Sequence, residues 1–172
     1  MKKQILLAVL AIMAFGFSAT AQQVDRSSFK AGVLAGLPVG DYSDASSFAL
    51  GLDLAHHWGV SELFDLGLAS GYIHAFGDTA SYLDGAVVAN YEDFQFIPVA
   101  GAIRMYPTYE FKLGADLGYA FGFTEFFDGG FYLRPSIGYN ITGNTELNAS
   151  YITISNDGTS FSMVALGLLF LF

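Results

Sequence analysis

The stretch YEFKLGADLGYAFGF, residues 109–123, decides the fold. Phe111, Leu113, Ala115, Leu117, Tyr119, Phe121 and Phe123 share one parity; Lys112, Gly114, Asp116, Gly118, Ala120 and Gly122 share the other. A strand sends alternate residues to opposite faces, whereas a helix would scatter both sets around its axis. The segment therefore reads as a strand with one large apolar face and one face that is small, glycine-rich or charged. The same split recurs where Phe48, Leu50, Leu52 and Leu54 alternate with Ala49, Gly51, Asp53 and Ala55. It recurs again where Phe131, Leu133, Pro135, Ile137 and Tyr139 alternate with Tyr132, Arg134, Ser136, Gly138 and Asn140.

The direction of the apolar face sets the class. A soluble eight-stranded barrel fills its interior with large apolar side chains and wets its outside. Glycine, alanine and a few charges cannot build such a core, but they can line a narrow polar lumen. The large apolar face must then meet lipid, which is the logic of a membrane barrel that satisfies its backbone by closing on itself. Strands are expected at 28–37, 47–58, 63–76, 93–106, 109–122, 130–141, 146–155 and 159–172. The fold class is thus all-β: an eight-stranded antiparallel transmembrane up-and-down barrel, with short periplasmic turns and longer external loops. Asp157-Gly158 marks a tight turn before the last strand. Pro98 and Pro135 fall inside strands, and bulges at both would reconcile them with a closed sheet.

The N-terminus reads as a secretory signal peptide over residues 1–21. Lys2 and Lys3 precede an apolar run from Ile5 to Phe17, and Ala19-Thr20-Ala21 closes an Ala-x-Ala site. Residues 22–172 form the barrel domain, in the cell outer membrane as a multi-pass chain. The absence of cysteine excludes a disulfide scaffold and a thiolate metal site. The net charge of -9 argues against nucleic acid as a partner.

Charges sort by height. Asp41, Asp44, Asp78, Asp84, Glu92, Glu125, Asp128 and Asp157 lie beyond the outer strand ends, with no Lys or Arg among them. Within the strands, Lys30, Arg104, Lys112, Arg134, Asp53 and Asp116 all have luminal parity. An internal network of Asp53, Arg104, Lys112, Asp116 and Arg134 would plug the lumen; a proton or ion path is the functional alternative. The longest loop, with Asp78, Asp84 and Glu92, reads as solvated charge, with weak and diffuse Ca²⁺ or Mg²⁺ bridging to anionic lipopolysaccharide as the sharper reading. Aromatics gather at both strand ends, as interface girdles do: Phe29, Trp58, Phe64, Tyr106, Tyr109, Phe111 and Phe172 at one, Tyr72, Phe76, Phe121, Phe123 and Phe131 at the other.

Val164, Leu166, Leu168, Phe170 and Phe172 alternate up to a terminal phenylalanine. This resembles the recognition strand of outer-membrane proteins, which implies that Phe170 and Phe172 form an assembly signal for the barrel-assembly machinery. The chain from about residue 24 resembles the small OmpA/OmpX-like barrels. Phe96-Ile97-Pro98-Val99, the 113–119 stretch and Arg134-Pro135-Ser136-Ile137-Gly138-Tyr139 are similar to the PorT-type outer membrane protein beta-barrel domain of Bacteroidota.

The expected function is non-enzymatic: a structural or surface-interaction barrel with acidic external loops and a plugged polar lumen, with no catalytic, metal or cofactor site, and an unknown external ligand. The alternatives are a lipid-modifying barrel enzyme of the PagP kind, for which His74, Asp78 and Ser81 are the residues at hand, and a narrow pore. A groove opening into lipid beside His74 would favour the enzyme, and an unplugged lumen the pore.

Overall fold

The alternation in residues 109–123 becomes strand β7 (Phe111–Thr124) of a closed antiparallel barrel. The computed structural model describes residues 28–43, 45–82, 87–124 and 127–172. The signal-peptide reading of residues 1–21, and Asp44, Asp84 and Glu125, lie outside the described residues.

Seven further strands complete the barrel: β1 (Ser28–Val39), β2 (Ser46–Gly59), β3 (Phe64–Gly77), β6 (Phe94–Met105), β8 (Phe127–Thr142), β9 (Thr145–Asn156) and β10 (Thr159–Leu171). Their order around the wall is β1-β10-β9-β8-β7-β6-β3-β2, so the first and last strands are neighbours and no edge remains open. Closure leaves no row of unpaired edge groups, the condition a sheet must meet in lipid. The start of β1, the end of β10 and the turns after β2, β6 and β8 share one end, the turn end; the longer connections occupy the other, the loop end.

Two features at the loop end depart from the expected plain loops. A 3-10 turn (Gly40–Tyr42) follows β1, and a separate hairpin of β4 (Thr79–Tyr82) and β5 (Val87–Asn90) rises between β3 and β6. Strand β8 also starts at Phe127, so Asp128 belongs to the wall rather than to a loop. The last hairpin turns at Asp157 (φ 45°) and Gly158 (φ 88°), both left-handed as a two-residue type I′ turn requires.

The prolines are accommodated without the expected bulges. Opposite Pro98 the β3–β6 pairing skips Gly71 and Tyr72, and opposite Pro135 the β8–β9 pairing skips two positions. The register is the same on both sides of each gap, so each ladder loses bonds locally instead of inserting a residue. Ser70 Oγ donates to the Pro98 carbonyl at 2.9 Å and holds the first gap closed.

The wall has the expected polarity. Leu50, Leu68, Leu117 and Ile137 point outward and are about half exposed, as are Leu52, Tyr119, Phe131 and Leu166.

Candidate functional site

The inner wall changes character along the barrel axis. Toward the turn end it carries charge. Arg134 on β8 reaches across to Asp53 on β2, donating from Nη1 to Oδ1 at 2.6 Å and from Nη2 to Oδ2 at 2.8 Å. Arg104 on β6 donates to Asp116 on the neighbouring β7 and to the Ile103 carbonyl. Lys112 on β7 does not pair with either aspartate. It donates to Glu146 Oε2 at 2.6 Å, and Lys30 on β1 donates to the same oxygen at 3.1 Å. Of these partners, Glu146 and Lys30 are absent from the five-residue set read from the sequence. Among the described residues the buried cations are Lys30, Arg104, Lys112 and Arg134, and the buried carboxylates are Asp53, Asp65, Asp116 and Glu146. The layer is therefore balanced in formal charge, which is what a water-poor interior demands of buried ions.

Glycine makes room for this layer. A Cβ at Gly138 would come within 2.4 Å of Glu146 Oε1, and one at Gly114 within 2.8 Å of Arg104 Cδ. The void at the centre of the layer, lined by Asp53, His57, Arg104, Asp116, Arg134 and Glu146, measures about 20 Å³, too small for a hydrated ion. His57 is fully buried there, and neither ring nitrogen has a hydrogen-bond partner among the described residues.

Below the layer, at the turn end, a vestibule of about 460 Å³ opens outward, lined by Lys30, Glu62, Asp65, Tyr106, Tyr109 and Lys112. Tyr106 departs from its expected place in the lipid-facing aromatic girdle of the turn end. It is half-buried over the vestibule, with its ring 5.7 Å from Lys112 Nζ and its hydroxyl hydrogen-bonded to Asp65. Burial raises the phenol well above its ordinary range, and Asp65 raises it further.

Toward the loop end the lumen is apolar, and this corrects the expectation of a uniformly polar interior. Phe96, Phe161, Ile73, Ile152, Ile154 and Met163 are fully buried against one another. Phe161 packs 5.2 Å from Phe96 and 5.8 Å from Phe94, ring centre to ring centre, and Tyr42 from the 3-10 turn meets Phe94 edge-on at 5.3 Å. Edge and tilted contacts of this kind are the favoured ring arrangements. The chain thus closes its lumen twice, with an aromatic–aliphatic layer above and an ion-pair layer below.

Of the loop acids, Asp78 Oδ1 accepts from Thr79 N at 2.7 Å and Glu92 is exposed. No group of three or more His, Cys, Asp or Glu able to hold a metal occurs among the described residues. His74 does not meet Asp78. Its Nε2 lies 3.2 Å from Asp93 Oδ2, its Nδ1 lies 3.4 Å from the Tyr72 hydroxyl, and Asp93 Oδ1 accepts from Gly77 N at 2.9 Å. The side chain of Ser81 is outside what the structure describes. On the outer wall beside His74 a groove of about 290 Å³ is lined by Val33, Leu34, Leu50, Leu52 and Tyr72. At the C-terminus, Phe170 and Phe172 are exposed, Phe172 N donates to the Phe29 carbonyl at 2.8 Å, and the rings of Phe29 and Phe172 lie 6.3 Å apart.

The barrel fold is found in known proteins. The fold is that of small outer-membrane β-barrels. The chain aligns with Ail, the attachment invasion locus protein of Yersinia pestis, at a TM-score of 0.56 and 15% identity, covering 85% of this chain and 97% of that one. It aligns with the N-terminal β-barrel domain of Pseudomonas aeruginosa OprF at a TM-score of 0.54 and 14% identity, covering 86% and 99%. A de novo designed transmembrane β-barrel gives a TM-score of 0.52 at 13% identity, covering 88% and 100%. No family model and no curated protein sequence matches the chain.

Alternation assigns each side chain to a side of the wall, and by that rule Asp65 and Glu146 could have been added to the luminal set. Both are the second residue of their strand, where the alternation has only just begun.

Proposed function

We propose that this chain is a non-enzymatic, multi-pass barrel of the cell outer membrane with a structural or surface-interaction role, its lumen closed to ions. The observation that carries this reading is the double closure: a wall that is apolar outside encloses a lumen filled by an aromatic layer and a charge-matched layer. An exported chain needs the signal peptide read at residues 1–21. Phe170 and Phe172, exposed at the end of β10, suit a signal for the barrel-assembly machinery, and the attachment role in the printed name of Ail is compatible with a surface interaction. The acidic loop residues Asp78, Asp84 and Glu92 would face lipopolysaccharide on the outer side. The motif likeness to the PorT-type domain of Bacteroidota belongs to this proposal too.

The test is reconstitution in planar bilayers. The folded protein should migrate faster on unheated than on heated gels, require detergent for extraction, and show no single-channel steps. Regular conductance steps from the wild-type chain would overturn the closed-lumen reading.

A lipid-related second reading has an observation in its favour, the groove beside His74. The group that His74 Nδ1 faces is a tyrosine hydroxyl rather than a serine, and the acid on Nε2 is Asp93 rather than Asp78. The groove therefore suits binding better than the transfer chemistry expected of a PagP-like enzyme.

A further inference from the structure

We propose that the groove on the outer wall is a binding site for one outer-leaflet lipid whose headgroup carries a primary ammonium. The inference rests on the membrane reading above and adds to it a site, an orientation and a lipid class.

The register defines the groove. Val33 pairs with Leu52 and Leu52 with Tyr72, giving one outward row across β1, β2 and β3. Ala35 pairs with Leu50 and Leu50 with His74, giving the next row. Between the rows the floor is the backbone of Leu34, Gly51 and Ile73, whose side chains, where present, turn inward. The result is a slot of about 290 Å³ with apolar flanks, the right chemistry for a stretch of acyl chain. It ends at the polar pair Tyr72 and His74, and His74 lies three residues from the loop end of β3. That is headgroup depth for a strand that crosses the membrane.

The polar end selects the headgroup. His74 Nε2 lies 3.2 Å from Asp93 Oδ2, so in the neutral tautomer that donates to Asp93, Nδ1 accepts from the Tyr72 hydroxyl 3.4 Å away. Both donors are used up within the chain of contacts. What remains for a ligand is acceptor capacity: the Tyr72 oxygen lone pair and the half-exposed Asp93 carboxylate. All four Lys and Arg side chains among the described residues point into the lumen, so among those residues the outer wall and the loop end offer no cation. A lipid with only an anionic headgroup meets no partner here. A primary ammonium brings three N–H donors and a positive charge to a carboxylate and a phenol oxygen. A quaternary ammonium has the charge without the donors.

Native mass spectrometry of the barrel released from micelles tests this. The micelles hold equal amounts of phosphatidylethanolamine, phosphatidylcholine and phosphatidylglycerol with identical acyl chains. The wild type should retain one ethanolamine lipid in preference to the other two by about tenfold, the worth of one charge-assisted hydrogen bond. Asp93→Asn and Tyr72→Phe should each remove that preference, and Leu50→Trp should abolish retention by filling the slot. All three positions lie on the outer surface, and heat-modifiable migration confirms that each variant is folded. Equal retention of the three lipids by the wild type would overturn the proposal. So would an ethanolamine preference that survives both polar substitutions. A chain that stays soluble without detergent would instead bring down the membrane reading, and this one with it.

Discussion

Arg134 and Asp53 clasp each other across the full width of the barrel. Their strands, β8 and β2, stand four places apart in a ring of eight, and the two parallel hydrogen bonds of 2.6 and 2.8 Å make the pair bidentate. The two residues are 81 positions apart in sequence, so the contact exists only once the wall has closed. Breaking one side of a buried pair strands a charge. Asp53→Asn should destabilise the barrel by about 3–5 kcal/mol, whereas Asp53→Leu combined with Arg134→Met should cost far less than the two single changes added together. Urea unfolding in lipid vesicles, followed by the fluorescence of Trp58, the one tryptophan, measures both. Additive losses would mean the pair is not coupled.

The outer wall makes the opposite demand on charge. Leu68 and Leu117 are 60% and 55% exposed at mid-height, and either replaced by Arg should cost about 2–4 kcal/mol in a bilayer. The same substitution at the exposed loop residue Glu92 should have little effect on the unfolding midpoint. Tolerance of Arg at Leu68 and Leu117 would exclude lipid contact there.

Strand positions were legible in the sequence because an isolated two-residue period over ten or more positions has no competing explanation. The lumen was less legible, for a physical reason. Inward faces were expected to be small or charged, with Ile152 and Ile154 standing out as large apolar residues of luminal parity; β9 runs Glu146, Asn148, Ser150, then Ile152 and Ile154 along one inner face. Strand β6 does the same in the other direction, from Phe94 and Phe96 to Arg104. The face changes character where the lumen passes from one layer to the other, and a rule that gives each face a single chemistry cannot see that. Parity gives a side of the wall but no partner: the pairing of Lys112 with Glu146 instead of an aspartate follows from strand order and register. The β4–β5 hairpin was invisible because four-residue strands show only two positions per face. His74 was read with the nearest acid in sequence, Asp78, while the fold delivers Asp93 from beyond the hairpin.

Tyr106 gives the turn end a pH dependence. Its phenol is raised, so the folded barrel keeps that proton to higher pH than the unfolded chain does. The stability this contributes is complete below about pH 10, the ordinary tyrosine value, and is lost as pH rises beyond it. Wild type should therefore be more stable than Tyr106→Phe near pH 8, by about 1 kcal/mol for the lost hydrogen bond to Asp65. The difference should shrink by pH 11. Paired urea titrations at the two pH values read it directly, and a difference that grows with pH would show that the Asp65 contact does not favour the protonated phenol.

The two closures of the lumen act in series, and that makes a specific prediction about conductance. Phe161 is wholly buried between Phe94 and Phe96 in the upper layer. Phe161→Ala removes a large ring from a tight cluster and should cost about 3–5 kcal/mol. The cavity it leaves sits above the ion-pair layer, whose void is only about 20 Å³. Ions that reach the cavity from the loop end still meet Asp53–Arg134 spanning the lumen, so the variant should be weaker yet remain electrically silent. Asp53→Leu with Arg134→Met removes the lower bridge but leaves the aromatic layer intact, and should be silent as well. Only the combination takes out an element of each closure in one chain. Planar-bilayer recordings of the three variants, each first shown to be folded by gel migration, decide the matter: steps in either partial variant would mean that one layer alone had kept the barrel shut.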